Sequence, residues 1–169
     1  MSKKILPAVL LLCVSLLFWA CGYHLEGGGY LRNVRTLGVR VAENNSSETD
    51  AEVIFTNALI NEIVQKSDTK LRDVSLAPVI LELKIKTITL DALARSDQTS
   101  VNERKVSAVI DAVMLGREGE EIWAAYGLSL NESYLVSSNG SDEDNRKTAL
   151  DKIAERTAES LVSRMLSNF

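Results

Sequence analysis

The sequence predicts an α+β fold: a two-layer sandwich with two helices on one face of a four-stranded mixed sheet, in the order β-α-β-β-β-α. Three observations lead there. Two segments, Ala51 to Ile63 and Leu150 to Met165, each carry one apolar stripe at 3-4 spacing, so each buries a single side. Four other segments alternate apolar and polar residues with period two, as half-buried strands do. The last two of these are joined by Gly116-Arg117-Glu118-Gly119, a tight hairpin turn.

The chain does not begin with that fold. Lys3 and Lys4 precede an apolar run, Ile5 to Trp19, interrupted only by Pro7 and Ser15. A spanning helix needs roughly 20 apolar residues to cross about 30 Å of hydrocarbon, so this shorter run fits a secretory signal. It closes on Ala20-Cys21-Gly22, a small residue directly before a cysteine, which resembles a bacterial lipoprotein processing site. In such proteins the thiol receives a diacylglyceryl group, a peptidase cuts before the cysteine, and the new N-terminus is acylated. Residues 1–20 are therefore expected to be a signal peptide and Cys21 the lipid attachment site, with an uncleaved membrane anchor as the alternative. Residues 21–33, with Gly27-Gly28-Gly29, are expected to be a lipidated flexible tether. Residues 34–169 are expected to form one sandwich domain. Gly22 in place of an aspartate after the cysteine resembles the sorting pattern of outer-membrane lipoproteins, which places the protein on the periplasmic face of that membrane.

Removing residues 1–20 changes the arithmetic. The 169-residue chain holds 19 Lys plus Arg against 23 Asp plus Glu, a net charge of −4. Loss of Lys3 and Lys4 takes this to −6, a poor match for the phosphate backbone of a nucleic acid. Of the 2 cysteines only Cys21 remains, so no internal disulfide can form. His24 is the 1 histidine, and it lacks the companions that a metal site or a nucleophile-base pair needs. Gly27-Gly28-Gly29 lacks the Lys-Ser/Thr of a phosphate loop. Asp142-Glu143-Asp144 suits a helix start, where negative charge complements the dipole, better than a calcium loop. Neither an enzyme nor a cofactor is expected.

The elements follow in order. Leu37, Val39 and Val41 alternate with Thr36, Gly38 and Arg40, giving the first strand within Val34 to Val41. Glu43 to Ser47 reads as a loop. Thr49 and Glu52 have the spacing of a capping box ahead of the first helix, which should end near Lys66 or Ser67. After Pro78, Val79, Leu81, Leu83 and Ile85 share one parity, which flips to Ile88 and Leu90, as a β-bulge would require. Ala92 to Arg104 reads as a polar loop. Val106 to Met114 and Ile122 to Leu130 form the hairpin, with Ile122, Ala124, Tyr126, Leu128 and Leu130 expected on its inner side. Ser137 to Asp144 is a loop with a cap at Ser141, and a helix runs from there to the C-terminus. The first two strands, joined through a helix, should be parallel. The sheet face away from the helices should carry Lys84, Lys86, Ser107, Asp111, Trp123 and Ser129.

Cys21-Gly22-Tyr23-His24-Leu25 resembles the opening of the mature lipopolysaccharide-assembly lipoproteins of the LptE family, which begin Cys-Gly-aromatic-His-Leu. Length and element order are similar over nearly all of the mature chain. The resemblance implies the sandwich fold, a plug-like position inside the LptD β-barrel, support of that barrel's assembly, and lipopolysaccharide binding. In the family, binding is associated with basic residues toward one end of the sheet, including the loop between the second and third strands. Here those positions offer Arg95, Arg104 and Lys105, which can pair with lipid A phosphates or be ordinary solvated charges. No Lys or Arg occurs from Ala125 to Asn145, so no second basic contact is carried over. The competing reading is a lipid-anchored periplasmic binding module of another envelope pathway, for which an apolar pocket between helices and sheet would speak.

Overall fold

The computed structural model describes residues 29–95, 101–136 and 142–167. The signal segment, Cys21 and the expected cap at Ser141 lie outside those residues. A 3-10 turn at Leu31–Asn33 leads into β1 (Thr36–Val39) and β2 (Glu43–Asn44). Helix α1 (Ala51–Lys66) is followed by β3 (Lys70–Leu71), the long strands β4 (Val79–Arg95), β5 (Val101–Gly116) and β6 (Glu121–Leu135), and helix α2 (Asp142–Leu166). The order of the sheet is β3-β1-β4-β5-β6, with β2 also paired to β4. β1 and β2 run parallel to β4, whereas β4-β5 and β5-β6 are antiparallel. The fold is the expected α+β sandwich with a mixed sheet, but that sheet has six strands rather than four. The two extra strands, β2 and β3, are two residues each, too short to show any periodicity in sequence.

The core lies between the helices and one sheet face. Phe55, Leu59 and Ile63 of α1 and Ile153, Leu161 and Met165 of α2 are buried against Leu81, Ile85, Ile110 and Met114. Residues directly opposite in a ladder share a face, so the pairs Leu81–Met114, Leu83–Ala112, Ile85–Ile110 and Ile88–Ala108 form the inner surface of β4 and β5. A register shift between Ile85 and Thr87 leaves Lys86 as the extra residue. That bulge is the parity flip visible in the sequence.

Buried hydroxyls tie the connections to the core. Thr56 Oγ1 accepts from the Ala42 backbone N–H at 2.9 Å, fastening β2 to α1. Thr69 Oγ1 accepts from the Leu31 N–H at 3.0 Å and donates to the Val34 carbonyl at 2.9 Å. Leu31 is fully buried, so the packed fold begins ahead of Val34, within the segment expected to be tether.

Four sequence expectations are corrected. The capping box is not made: α1 starts from Asp50 in the left-handed region (φ 62°) without a side-chain cap. The Asn44 side-chain amide instead donates to Glu52 at 2.9 Å and to the Glu48 carbonyl at 2.8 Å, a partner from the preceding strand outcompeting Thr49. The expected loop from Ala92 to Arg104 is mostly strand, since Arg95 still pairs with Val101. β6 continues past Leu130, where the expected strand ended, to Leu135. The inner side of β6 changes parity too. Trp123 and Ala125 oppose Met114 and Ala112 on the core face, Tyr126 is 64% exposed, and Leu128 and Leu130 then turn inward. A second bulge at Tyr126-Gly127 makes the switch. Gly127 supplies φ 66°, costly for a side chain, and its N–H donates to Asp111 Oδ1 at 2.7 Å.

Two stability predictions follow from this packing. Leu161→Ala should cost about 2–5 kcal/mol in equilibrium unfolding, because it opens a cavity at a fully buried position. Thr69→Val should cost about 1–3 kcal/mol by stranding a buried N–H and a carbonyl. A value near zero in urea titration for either would contradict the packing described.

Candidate functional site

The expected basic residues fall at the far end of the β4-β5 hairpin. Arg95 is the last residue of β4, opposite Val101. Arg104 sits in β5 between Ala92 and Tyr134, on the helix side of the sheet. Lys105 is the next residue, between Asp91 and Ser133, and so faces the other way. Neighbours in sequence, Arg104 and Lys105 are therefore not brought together: the sheet lies between their side chains.

Arg104 is already engaged. Its Nη1 donates to Asp142 Oδ2, and the two side chains are 31% and 39% exposed. Asp142 is the first residue of α2, where a carboxylate complements the helix dipole. The pair therefore fastens the start of α2 to the middle strand. One turn on, Arg146 reaches Glu143 at 2.6 Å and Glu48, ahead of α1, at 2.8 Å. Hydrogen bonding to Glu143, reinforced by the charges of Glu48 and Glu143, holds the Arg146 guanidinium above its ordinary pKa despite burial. The Tyr134 hydroxyl and Asp142 Oδ1 are buried with no partner among the described residues. A guanidinium carries five donors, and Asp142 engages Arg104 through Nη1, so a phosphate reaching this corner could bind Arg104 beside Asp142. Lys105 makes no ion pair within 4 Å among the described residues.

Sequence reasoning missed Tyr134 and Arg146. For Tyr134 no apolar alternation pointed the way, since Asn131-Glu132-Ser133 interrupts it after Leu130. For Arg146 the i,i+3 spacing from Glu143 was visible, but its second partner Glu48 is far away in the chain. Asp142-Glu143-Asp144 do start a helix, as read, but Asp142 also holds Arg104.

The outer face of the sheet, uncovered by helices, carries Thr87, Thr89 and Asp91 of β4, Lys105, Ser107, Val109, Asp111 and Val113 of β5, and Ser129, Asn131 and Ser133 of β6. Trp123, expected there, is on the core side. Charges nearer the other end are paired laterally, Arg40 with Glu82, Lys84 with Glu43 at 2.9 Å and Lys86 with Asp111 at 3.6 Å. A cleft of about 510 Å³ lies between the outer sides of α1 and α2, lined by Asn57, Asn61, Glu62, Asp151, Glu155 and Glu159 among others. Among the described residues no three His, Cys, Asp or Glu side chains are placed to hold a metal ion.

The conspicuous features among the described residues are a clasped helix end and a broad sheet face that the helices leave uncovered. The chain belongs to the lipopolysaccharide-assembly family LptE, whose family model matches residues 34–165. No curated protein sequence gives a significant match. Solved structures with the same fold include lipoprotein B from Nitrosomonas europaea, 11% identical, covering 86% of this chain and 90% of that one with a TM-score of 0.54. A protein from Xanthomonas campestris is 12% identical, with 83% and 90% covered and a TM-score of 0.51. A candidate lipoprotein from Caulobacter crescentus is 13% identical, with 75% and 88% covered and a TM-score of 0.51. At these identities the likeness is one of fold.

Arg104→Ala should lower the melting temperature by about 2–4 °C, the equivalent of about 1 kcal/mol for a partly exposed pair in a domain of this size. An unchanged melting curve would mean the clasp contributes nothing and Arg104 is free for a ligand.

Proposed function

We propose that this protein is an outer-membrane lipoprotein, cleaved ahead of Cys21 and acylated there, whose single sandwich domain over residues 34–169 serves as the plug and assembly partner of an LptD-type β-barrel and takes part in lipopolysaccharide binding. Family membership over residues 34–165 carries the reading. The uncovered sheet face supports it: a hydroxyl-rich surface, with Lys84 and Lys86 paired to Glu43 and Asp111 and Lys105 left open, suits the polar lumen of a barrel. The interior speaks against the alternative of a small-ligand module, since Phe55, Leu59, Ile110 and Ile153 fill the space between helices and sheet, and the cleft lies outside it.

Within this reading the three basic residues have unequal parts. Lys105 is the cation on the open face, and Arg95 ends the strand beside that face's far edge. Arg104 would meet a lipid phosphate beside Asp142, whose carboxylate already offsets its charge. A net charge of −6 for the mature chain argues for contacts with a partner rather than for a free carrier of an anionic glycolipid.

Purification from outer membranes in mild detergent should recover a large β-barrel in about equal amount; a free monomer would overturn the plug. Cys21→Ser should yield a longer, unacylated precursor, and normal processing with normal lipid labelling would refute the anchor. Replacing Arg95, Arg104 and Lys105 together by Ala should weaken lipopolysaccharide binding about tenfold at low salt and less at high salt. Lys105→Ala alone should account for most of that loss, and unchanged binding in both would return the three residues to structural or solvated roles.

A further inference from the structure

β4 is paired along its whole length on one side only. On the β5 side the ladder runs from Val79 to Arg95. On the other side β1 pairs at Ile80 and Leu81 and β2 at Lys84 and Ile85, in one row, both parallel to β4. The row's last hydrogen bond is Asn45 N–H to the Ile85 carbonyl at 2.9 Å. Beyond it no strand among the described residues lies against β4.

The ladder fixes which groups are left open. The Leu81 and Ile85 carbonyls accept from the β1-β2 row, at 3.0 and 2.9 Å, so odd-numbered residues face outward there. The bulge at Lys86 shifts the alternation by one. Ile88, Leu90 and Ala92 therefore present their N–H and C=O groups away from β5. The stretch Thr87 to Ala94 holds no Lys, Arg or Pro, and Asp91 is its one charge. Leu90 and Leu93 are 44% and 47% exposed. Soluble proteins blunt open edges with lysine, proline or a covering element; this edge has an apolar surface instead.

We propose that the open edge of β4 over Ile88 to Ala92 takes up an extended segment of the barrel partner as an added strand, continuing the row begun by β1 and β2. The inference rests on the plug reading above. The segment's chemistry is set by the edge: apolar side chains at alternate positions to cover Ile88 and Leu90 on the helix side, and polar ones beside Thr89 and Asp91. Backbone groups in the wall of a closed barrel are already satisfied, so the segment comes from a loop or terminal arm of the partner. A second copy of this chain fits worse. Antiparallel pairing about Leu90 would set its Arg95 opposite Ile85, where β2 already occupies the row.

Backbone hydrogen exchange tests this, measured on the protein co-purified with its barrel and on the protein alone. The amides of Ile88, Leu90 and Ala92 should slow by at least about tenfold in the complex, while those of Thr89 and Asp91, already bonded to β5, change little. Leu90→Pro removes one outward donor from an edge position that tolerates proline; it should keep the melting temperature and reduce recovered barrel severalfold. Leu90→Lys, which keeps the donor and adds a charge, should do the same. An intact complex in which the three amides exchange as in the free protein overturns the inference and leaves the plug reading standing, and so does slowing produced by self-association of the free chain. Failure to recover any barrel overturns both.

Discussion

The large apolar stripes of the described residues converge on one side of one sheet, and that one-sided core governs everything else. Two helices, each with a single apolar face, are enough to cover one surface of β4, β5 and β6 and cannot cover the other. Packing between Phe55, Leu59, Ile63, Ile153 and Leu161 and the inner ladder of β4 and β5 holds the fold. Dispersion and burial are non-directional, so the directional work falls to a few polar devices at the margins: Thr56 and Thr69 at the connections, and the Arg104–Asp142 clasp where α2 begins.

Strands of 15 to 17 residues can keep one face in the core only if their twist is corrected along the way. Two bulges do this. Lys86 was legible, because apolar parity changes from Ile85 to Ile88 in plain view. The Tyr126-Gly127 bulge was not, because apolar residues occupy both parities of β6 before it, Ile122 and Ala124 on one and Trp123 and Ala125 on the other. Sequence alternation alone could not choose between them; the capture of the Gly127 N–H by Asp111 does. The two-residue strands were hidden for a related reason, since their partners in β1 and β4 are distant in the chain; the Asn44 bond to Glu52 spans only eight residues but follows no helix-cap spacing.

The basic end of the sheet shows how a single misreading spreads. With Ala92 to Arg104 taken as a loop, Arg104 and Lys105 read as one patch. In a strand, adjacent residues point to opposite faces, so the same pair becomes one structural clasp and one open cation. The family opening at Cys21 to Leu25, by contrast, was fully legible, and the match over residues 34–165 agrees with it. What periodicity records well is the fold and its buried side. What it records poorly is which charged residue is spent on holding the fold together.

A domain with one finished face and one open face is suited to being held against something larger. Because Cys21 is the one cysteine of the mature chain and is expected to be acylated, a cysteine introduced on the open face is the sole free thiol. Ser129→Cys, exposed on β6, should resist a membrane-permeant maleimide in intact outer membranes and react readily once the protein is purified free of its barrel. Equal labelling in both states would mean that nothing covers the open face and would contradict the account.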